Sequence, residues 1–126
     1  MTDGMSSSVT VDLEGLRKEL AEAGAEEILW ELVETFAADA PFRMEAIDSA
    51  LQSGSGRQIR SAAHAYKSSA GTMKARDLAA LLLDLEQAGN ERDFARALAL
   101  QPPIREAHER ALEFLSNAPR PGRGDA

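Results

Sequence analysis

Leu29, Leu32, Val33, Phe36, Ala40, Met44, Ile47 and Leu51 recur at intervals of three and four residues, a spacing that only an α-helix gathers onto one face. The stripe runs for roughly six helical turns, so the chain must supply other apolar helix faces to cover it. Shorter runs of the same spacing flank it. Asp12 is a good N-cap for a short first helix carrying Leu13, Leu16 and Leu20, with Gly24 as its closing glycine. The main stripe predicts a second helix from about 25 to 51, kinked at Pro41 and ended by Ser53 to Gly56. A third helix is predicted from about 57 to 73 and a fourth from about 75 to 88, with Gly89-Asn90 as its stop. A short turn through Phe94 and Leu98 then precedes Pro102-Pro103, which opens a last helix to about Ser116.

Four long amphipathic helices with short connections specify an all-α, antiparallel four-helix bundle of up-down-up-down order, here with an additional short N-terminal helix. Residues 11–117 form the bundle in this reading. The polar, Gly-, Pro- and Ser-rich stretches 1–10 and 118–126 are read as flexible tails, and Arg123-Gly124-Asp125 as a chance triplet. Two loose tails favour a stand-alone protein. With 126 residues, 44% of them hydrophobic and only 5% aromatic, the chain has the apolar content for one moderate core and leans towards helix rather than sheet.

Charge and composition narrow the function. A net charge of -7 argues against nucleic acid or an anionic membrane as the principal partner, because both are gripped by dense Lys and Arg surfaces. Without cysteine there is neither a disulfide framework nor a thiolate metal site. The longest apolar run, 78–83, is far below a bilayer span. The expectation is a cytoplasmic protein whose partner is another protein.

The third helix carries the chemistry. At 100° per residue, Arg57, Arg60, His64, Lys67, Ser68 and Gly71 fall within roughly 60° of His64, all of them polar or small. Ile59, Ala62, Tyr66, Ala70 and Met73 take the opposite side and face the core. His64 is thereby turned to solvent on a cationic face beside small side chains, an anion-accepting spot open to another protein. Imidazole is the side chain best suited to accept and release a phosphoryl group near neutral pH, and Lys67 is one turn away to hold its oxygens. A lone exposed histidine on a solvated helix face is, on periodicity alone, more often a bystander.

The register around His64 resembles the histidine-containing phosphotransfer (HPt) domain of multistep two-component signalling. That family's motif reads A-H-x-L-K-G-S-S-x-x-x-G-A-x-x-L, with a Leu-Glu pair further on. Ala63, His64, Lys67, Ser69, Ala75, Leu78, Leu85 and Glu86 match without a gap, and residues 31–51, with their Phe, mid-helix Pro and closing Leu, resemble the family's preceding helix. The chain departs at Tyr66 for an aliphatic residue, at Ser68 for the Gly beside the histidine, and at Lys74 for the Gly of the turn. Tyr66 changes packing; Ser68 either hydrogen-bonds the site or crowds the partner; Lys74 strains the junction or adds a cation to the site.

The resemblance implies a phosphorelay intermediate. His64 accepts a phosphoryl group from a receiver-domain aspartyl phosphate and passes it to another receiver's aspartate. Lys67 steadies the phosphoryl oxygens, and Arg60 and Ser68 make secondary contacts. The chain has no nucleotide-binding motif, so it is a phosphocarrier without kinase or ATPase activity of its own, with no intrinsic cofactor and with Mg²⁺ brought by the receiver. Partners are response-regulator receivers and a hybrid histidine kinase, docked on Phe36, Ala40, Phe42, Met44 and Gly71, the protein itself being a monomer. The alternative is an HPt-like adaptor that docks without being phosphorylated, and homodimerisation through the second helix stays open. His108, on the stripe of Ile104, Ala107, Ala111 and Leu115, reads as a core or boundary histidine; Ser61 and Arg105 stand where a di-iron bundle needs glutamates. Glu26, Glu27, Glu31, Glu34, Asp77, Asp84 and Glu86 read as solvated helix faces.

Overall fold

A computed structural model of the chain describes residues 10–120. Five helices follow in order: α1 (Leu13–Glu22), α2 (Leu29–Ser53), α3 (Gly56–Thr72), α4 (Arg76–Glu91) and α5 (Phe94–Asn117), with a 3₁₀ turn at Glu26–Ile28 before α2. Each of α2 to α5 packs on its neighbour in sequence, and α5 closes the ring against α2. The expected four-helix bundle is thus formed, and the stripe of α2 is its spine: Leu29, Val33, Phe36, Ala40, Met44, Ile47 and Leu51 are all buried. Facing it are Ile59, Ala63, Tyr66 and Ala70 of α3, Leu78, Leu82 and Leu85 of α4, and Ala97, Ile104, Ala107, Ala111 and Leu115 of α5. Among the described residues, no helix is long and apolar enough to cross a membrane.

α1 closes one end of the bundle. The Asp12 side chain caps it by accepting from Gly15 N at 2.9 Å. It is tied to the α3–α4 junction through Asp12 N donating to Lys74 O at 3.1 Å and through an Arg76–Asp12 ion pair at 3.2 Å. The bond from Gly15 N, and secondarily the Arg76 guanidinium and the Lys74 charge, hold the Asp12 carboxyl below the usual carboxylate range.

Three expectations from sequence are corrected. The fourth helix does not stop at Gly89-Asn90: it runs to Glu91, and Gly89 is buried inside it. A Cβ on Gly89 would lie 2.8 Å from Arg60 N and 2.9 Å from Gly56 O, and one on Gly56 would lie 2.5 Å from Gly89 O. These glycines serve close approach of α3 and α4. The turn is made by Arg92, at φ 58°, with Asp93 N donating to Ala88 O and Arg92 N to Gly89 O, the paired bonds of a left-handed helix ending.

The second correction concerns Pro102-Pro103, which lie inside a continuous α5 rather than at a helix start. Proline deprives the carbonyl four residues earlier of its donor. Those carbonyls belong to Leu98 and Ala99, both on exposed residues where water can replace the lost bonds, and the flanking Ala97 and Ile104 hold the helix to the core. Pro41 is accommodated in α2 in the same way, above an exposed Ala37.

The third is the C-terminal boundary. The stretch read as loose from 118 begins packed: Arg120 lies 5.1 Å from the centroid of the Trp30 ring and pairs with Glu34 at 2.7 Å. The expectations for residues 1–9 and 121–126, including the Arg-Gly-Asp triplet, fall outside the described residues.

Candidate functional site

Ser55 starts α3 by accepting from Gln58 N at 3.2 Å, and Ile59, Ala63, Tyr66 and Ala70 lock its inner face into the core. The helix therefore cannot rotate, and its outer face presents His64 in mid-helix with its side chain 60% exposed. Arg57, Arg60, Ser68 and Gly71 are exposed along the same face, and Lys67 is half-buried.

The residue that organises this face is one whose sequence position reads as a solvated carboxylate. Glu86, on α4, stands 3.1 Å from His64 Nδ1 through Oε2 and 2.8 Å from Lys67 Nζ through Oε1. Oε1 is cut off from solvent and meets the ammonium as an ion pair rather than along a hydrogen-bond direction. Lys67, and secondarily the bond from His64, holds the Glu86 carboxyl below the usual carboxylate range against the opposing effect of burial. Glu86 lies 22 residues from His64 in sequence, and helical periodicity within α3 says nothing about α4. The available signal was the Leu-Glu pair of the resembling motif, whose Glu acquires a purpose once the α3–α4 hairpin closes.

An ionised carboxylate only accepts hydrogen bonds. Nδ1 of His64 therefore carries the ring proton facing Glu86, and in the neutral imidazole the lone pair sits on Nε2. Lys67 is committed to Glu86 at rest, so it is poised beside the imidazole rather than free. Ser68 follows His64 by one turn, and side chains on a helix lean towards the N-terminus, which brings its hydroxyl back over the histidine's turn. Gly71 has nothing within 4 Å of where a Cβ would stand, leaving the face open one turn further on.

Lys74 does not join the site. It adopts the left-handed conformation that the turn requires, at φ 57°, with Ala75 N donating to Ala70 O and Lys74 N to Gly71 O. Its ammonium turns to Glu19 of α1 at 3.1 Å. The docking residues expected on α2 also separate. Phe36, Ala40 and Met44 are buried core residues, because they belong to the stripe itself, and they cannot meet a partner. Phe42, off the stripe, is 71% exposed.

Tyr66 and His108 form a second polar pair inside the bundle, with the Tyr66 hydroxyl 2.6 Å from His108 Nδ1 and the rings edge-on. Burial raises the phenol far above its ordinary range, so it keeps its proton and donates. Burial, reinforced by Arg105, pushes His108 below the usual histidine value of 6.5. This histidine is 6% exposed, and its Nδ1 is occupied as an acceptor.

Comparison with known proteins returns the same architecture. The sequence pattern of the Hpt domain family matches residues 31–117. Among solved structures, the histidine-containing phosphotransfer protein B of Pseudomonas aeruginosa PAO1 is similar at a TM-score of 0.77 and 25% identity, over 85% of this chain and 91% of that one. Among curated proteins, none matches the sequence.

Proposed function

Because the chain belongs to the Hpt domain family, whose members are phosphocarriers working with receiver domains and kinases in phosphorelays, we propose that His64 is its phosphoacceptor and Nε2 the attacking atom. The observation that carries this reading is the pinning of Nδ1 to Glu86 while the rest of the ring faces solvent. The Nε2 lone pair forms the N–P bond in line as the P–O bond to the receiver's aspartate breaks, the electron pair leaving on that carboxylate. The Nδ1 proton stays in place, and the positive charge the ring acquires develops 3.1 Å from Glu86. Onward transfer reverses the step on a second receiver.

Lys67 sits where it can exchange part of its contact with Glu86 for the incoming phosphoryl oxygens, with Arg60 and Ser68 as secondary contacts. Phe42 and Gly71 are the exposed elements of the docking face. The receiver brings Mg²⁺ and the acceptor carboxylate, and this chain neither binds nor hydrolyses ATP. Such a carrier works in the cytoplasm, where receivers reside.

A receiver domain charged with acetyl phosphate will label the protein with an acid-labile, alkali-stable phosphoryl group, and His64→Gln will remain unlabelled. Equal labelling of the variant would overturn the assignment.

A further inference from the structure

Half of the 14 lysines and arginines of this acidic chain are neutralised within it. Arg17, Lys67, Lys74, Arg76, Arg96, Arg105 and Arg120 all form ion pairs. Among the described residues, Lys18, Arg43, Arg57, Arg60, Arg92 and Arg110 form none. Three of these gather at one end of the His64 face. Arg57 and Arg60 precede His64 on the same side of α3, and the Arg92 side chain lies along α3's first residue, with Cγ 3.2 Å from the Cβ position of Gly56. The Gly56–Gly89 crossing brings them together.

The carboxylates nearby are already engaged. Glu86 is held by Lys67, Asp84 and Glu91 by Arg96, and Asp93 caps α5 by accepting from Arg96 N. The three arginines are exposed, and among the described residues their guanidiniums are uncompensated, on a protein of net charge -7. Arg92 is also kept in a left-handed conformation that glycine adopts without strain.

We infer that Arg57, Arg60 and Arg92 form an electrostatic docking ridge for the acidic rim of a receiver's phosphorylation pocket, steering that partner onto His64 ahead of any phosphoryl contact. The inference rests on the proposed relay function. The occupant follows from charge complementarity: a partner delivering an aspartyl phosphate among metal-binding carboxylates is strongly anionic where it must touch, and an uncompensated basic ridge beside His64 raises the rate of encounter.

The test measures transfer from an acetyl-phosphate-charged receiver at sub-saturating concentration across ionic strength. It compares the wild type with Arg57→Ala/Arg92→Ala and with Lys18→Ala/Arg110→Ala, which removes the same charge elsewhere. The first pair is expected to slow transfer by about ten-fold at low salt and flatten its salt dependence. Its rate at saturating receiver and its melting temperature stay near wild type, and the second pair follows the wild-type salt curve. Identical salt curves for all three proteins overturn the ridge while leaving the relay standing. A wild type that takes no label from any receiver overturns the relay and the ridge together.

Discussion

The two histidines sit on α3 and α5 of one bundle, and each makes one hydrogen bond through Nδ1 to a residue of another helix. Their chemistry diverges at that bond. His64 meets an ionised carboxylate, so Nδ1 is a donor and Nε2 is left with a free lone pair at the surface. His108 meets a phenol that keeps its proton, so Nδ1 is the acceptor and the lone pair is consumed in the core. A nucleophile is made here by the partner's proton inventory and by exposure, not by residue type.

The largest expected effect comes from removing the partner that makes His64 what it is. Glu86→Ala deletes the acceptor at Nδ1 and leaves the ring free to rotate and change tautomer. A charge-assisted hydrogen bond contributes about 1.5 to 3 kcal/mol, so transfer from a charged receiver should slow by roughly 10- to 100-fold. Glu86→Gln, which keeps an acceptor without the charge, should fall between. A wild-type rate in Glu86→Ala would show that the carboxylate does not prepare the ring.

Next in size is the spacing that lets α4 deliver Glu86. Ala at position 89 would place its Cβ under 3 Å from the α3 backbone, and backbone cannot swing aside as a side chain can. Gly89→Ala should therefore cost about 3 kcal/mol, at the upper end for overpacking, read as a shift in the denaturant midpoint. Because Glu86 lies one turn from the crossing, its transfer rate should fall even where the variant remains folded.

His108 offers a smaller effect with a defined sign. Its value is depressed in the fold relative to 6.5, so below that pH the unfolded chain takes up a proton that the folded chain resists. The stability associated with neutral His108 is complete above about pH 6.5 and is lost as pH falls towards the lower folded value. Arg105, Asp48 and Glu109 act on the same ring, so the decisive measurement is the difference between wild type and His108→Gln across pH 5 to 7. A pH-independent difference would mean that His108 takes up its proton alike in the folded and unfolded states, and would overturn the depression by burial.

Much of this was legible before any coordinates. The α2 stripe, the Asp12 cap, the outward turn of His64 and the inward turn of Tyr66 and His108 follow from a 3.6-residue period, because each is a relation within one helix. What failed were relations between helices or exceptions that packing permits. Glu86 looked like a surface carboxylate because its partners lie across a hairpin. Phe36, Ala40 and Met44 were assigned both to the stripe and to the docking face, and one side chain cannot serve both. Gly89 was read for its conformational freedom when it serves for its lack of a side chain. Pro102 and Pro103 were read as a helix start because their effect on the helix was weighed without the exposed carbonyls beneath them.

The smallest predicted effect ties stability to recognition. Arg92 fills a left-handed helix ending that glycine occupies at no steric cost, as Gly24 and Gly54 do in the turns after α1 and α2. Its guanidinium forms no ion pair among the described residues, so stability alone would favour replacing it. Arg92→Gly should stabilise the fold by about 0.5 to 1 kcal/mol, the relieved strain of about 1 to 2 kcal/mol being partly offset by the freer unfolded chain. It should at the same time weaken the salt-dependent approach of a charged receiver. A variant that is more stable and equally fast at low salt would separate the turn from the docking ridge; one that is more stable and slower would show that Arg92 is kept for its charge.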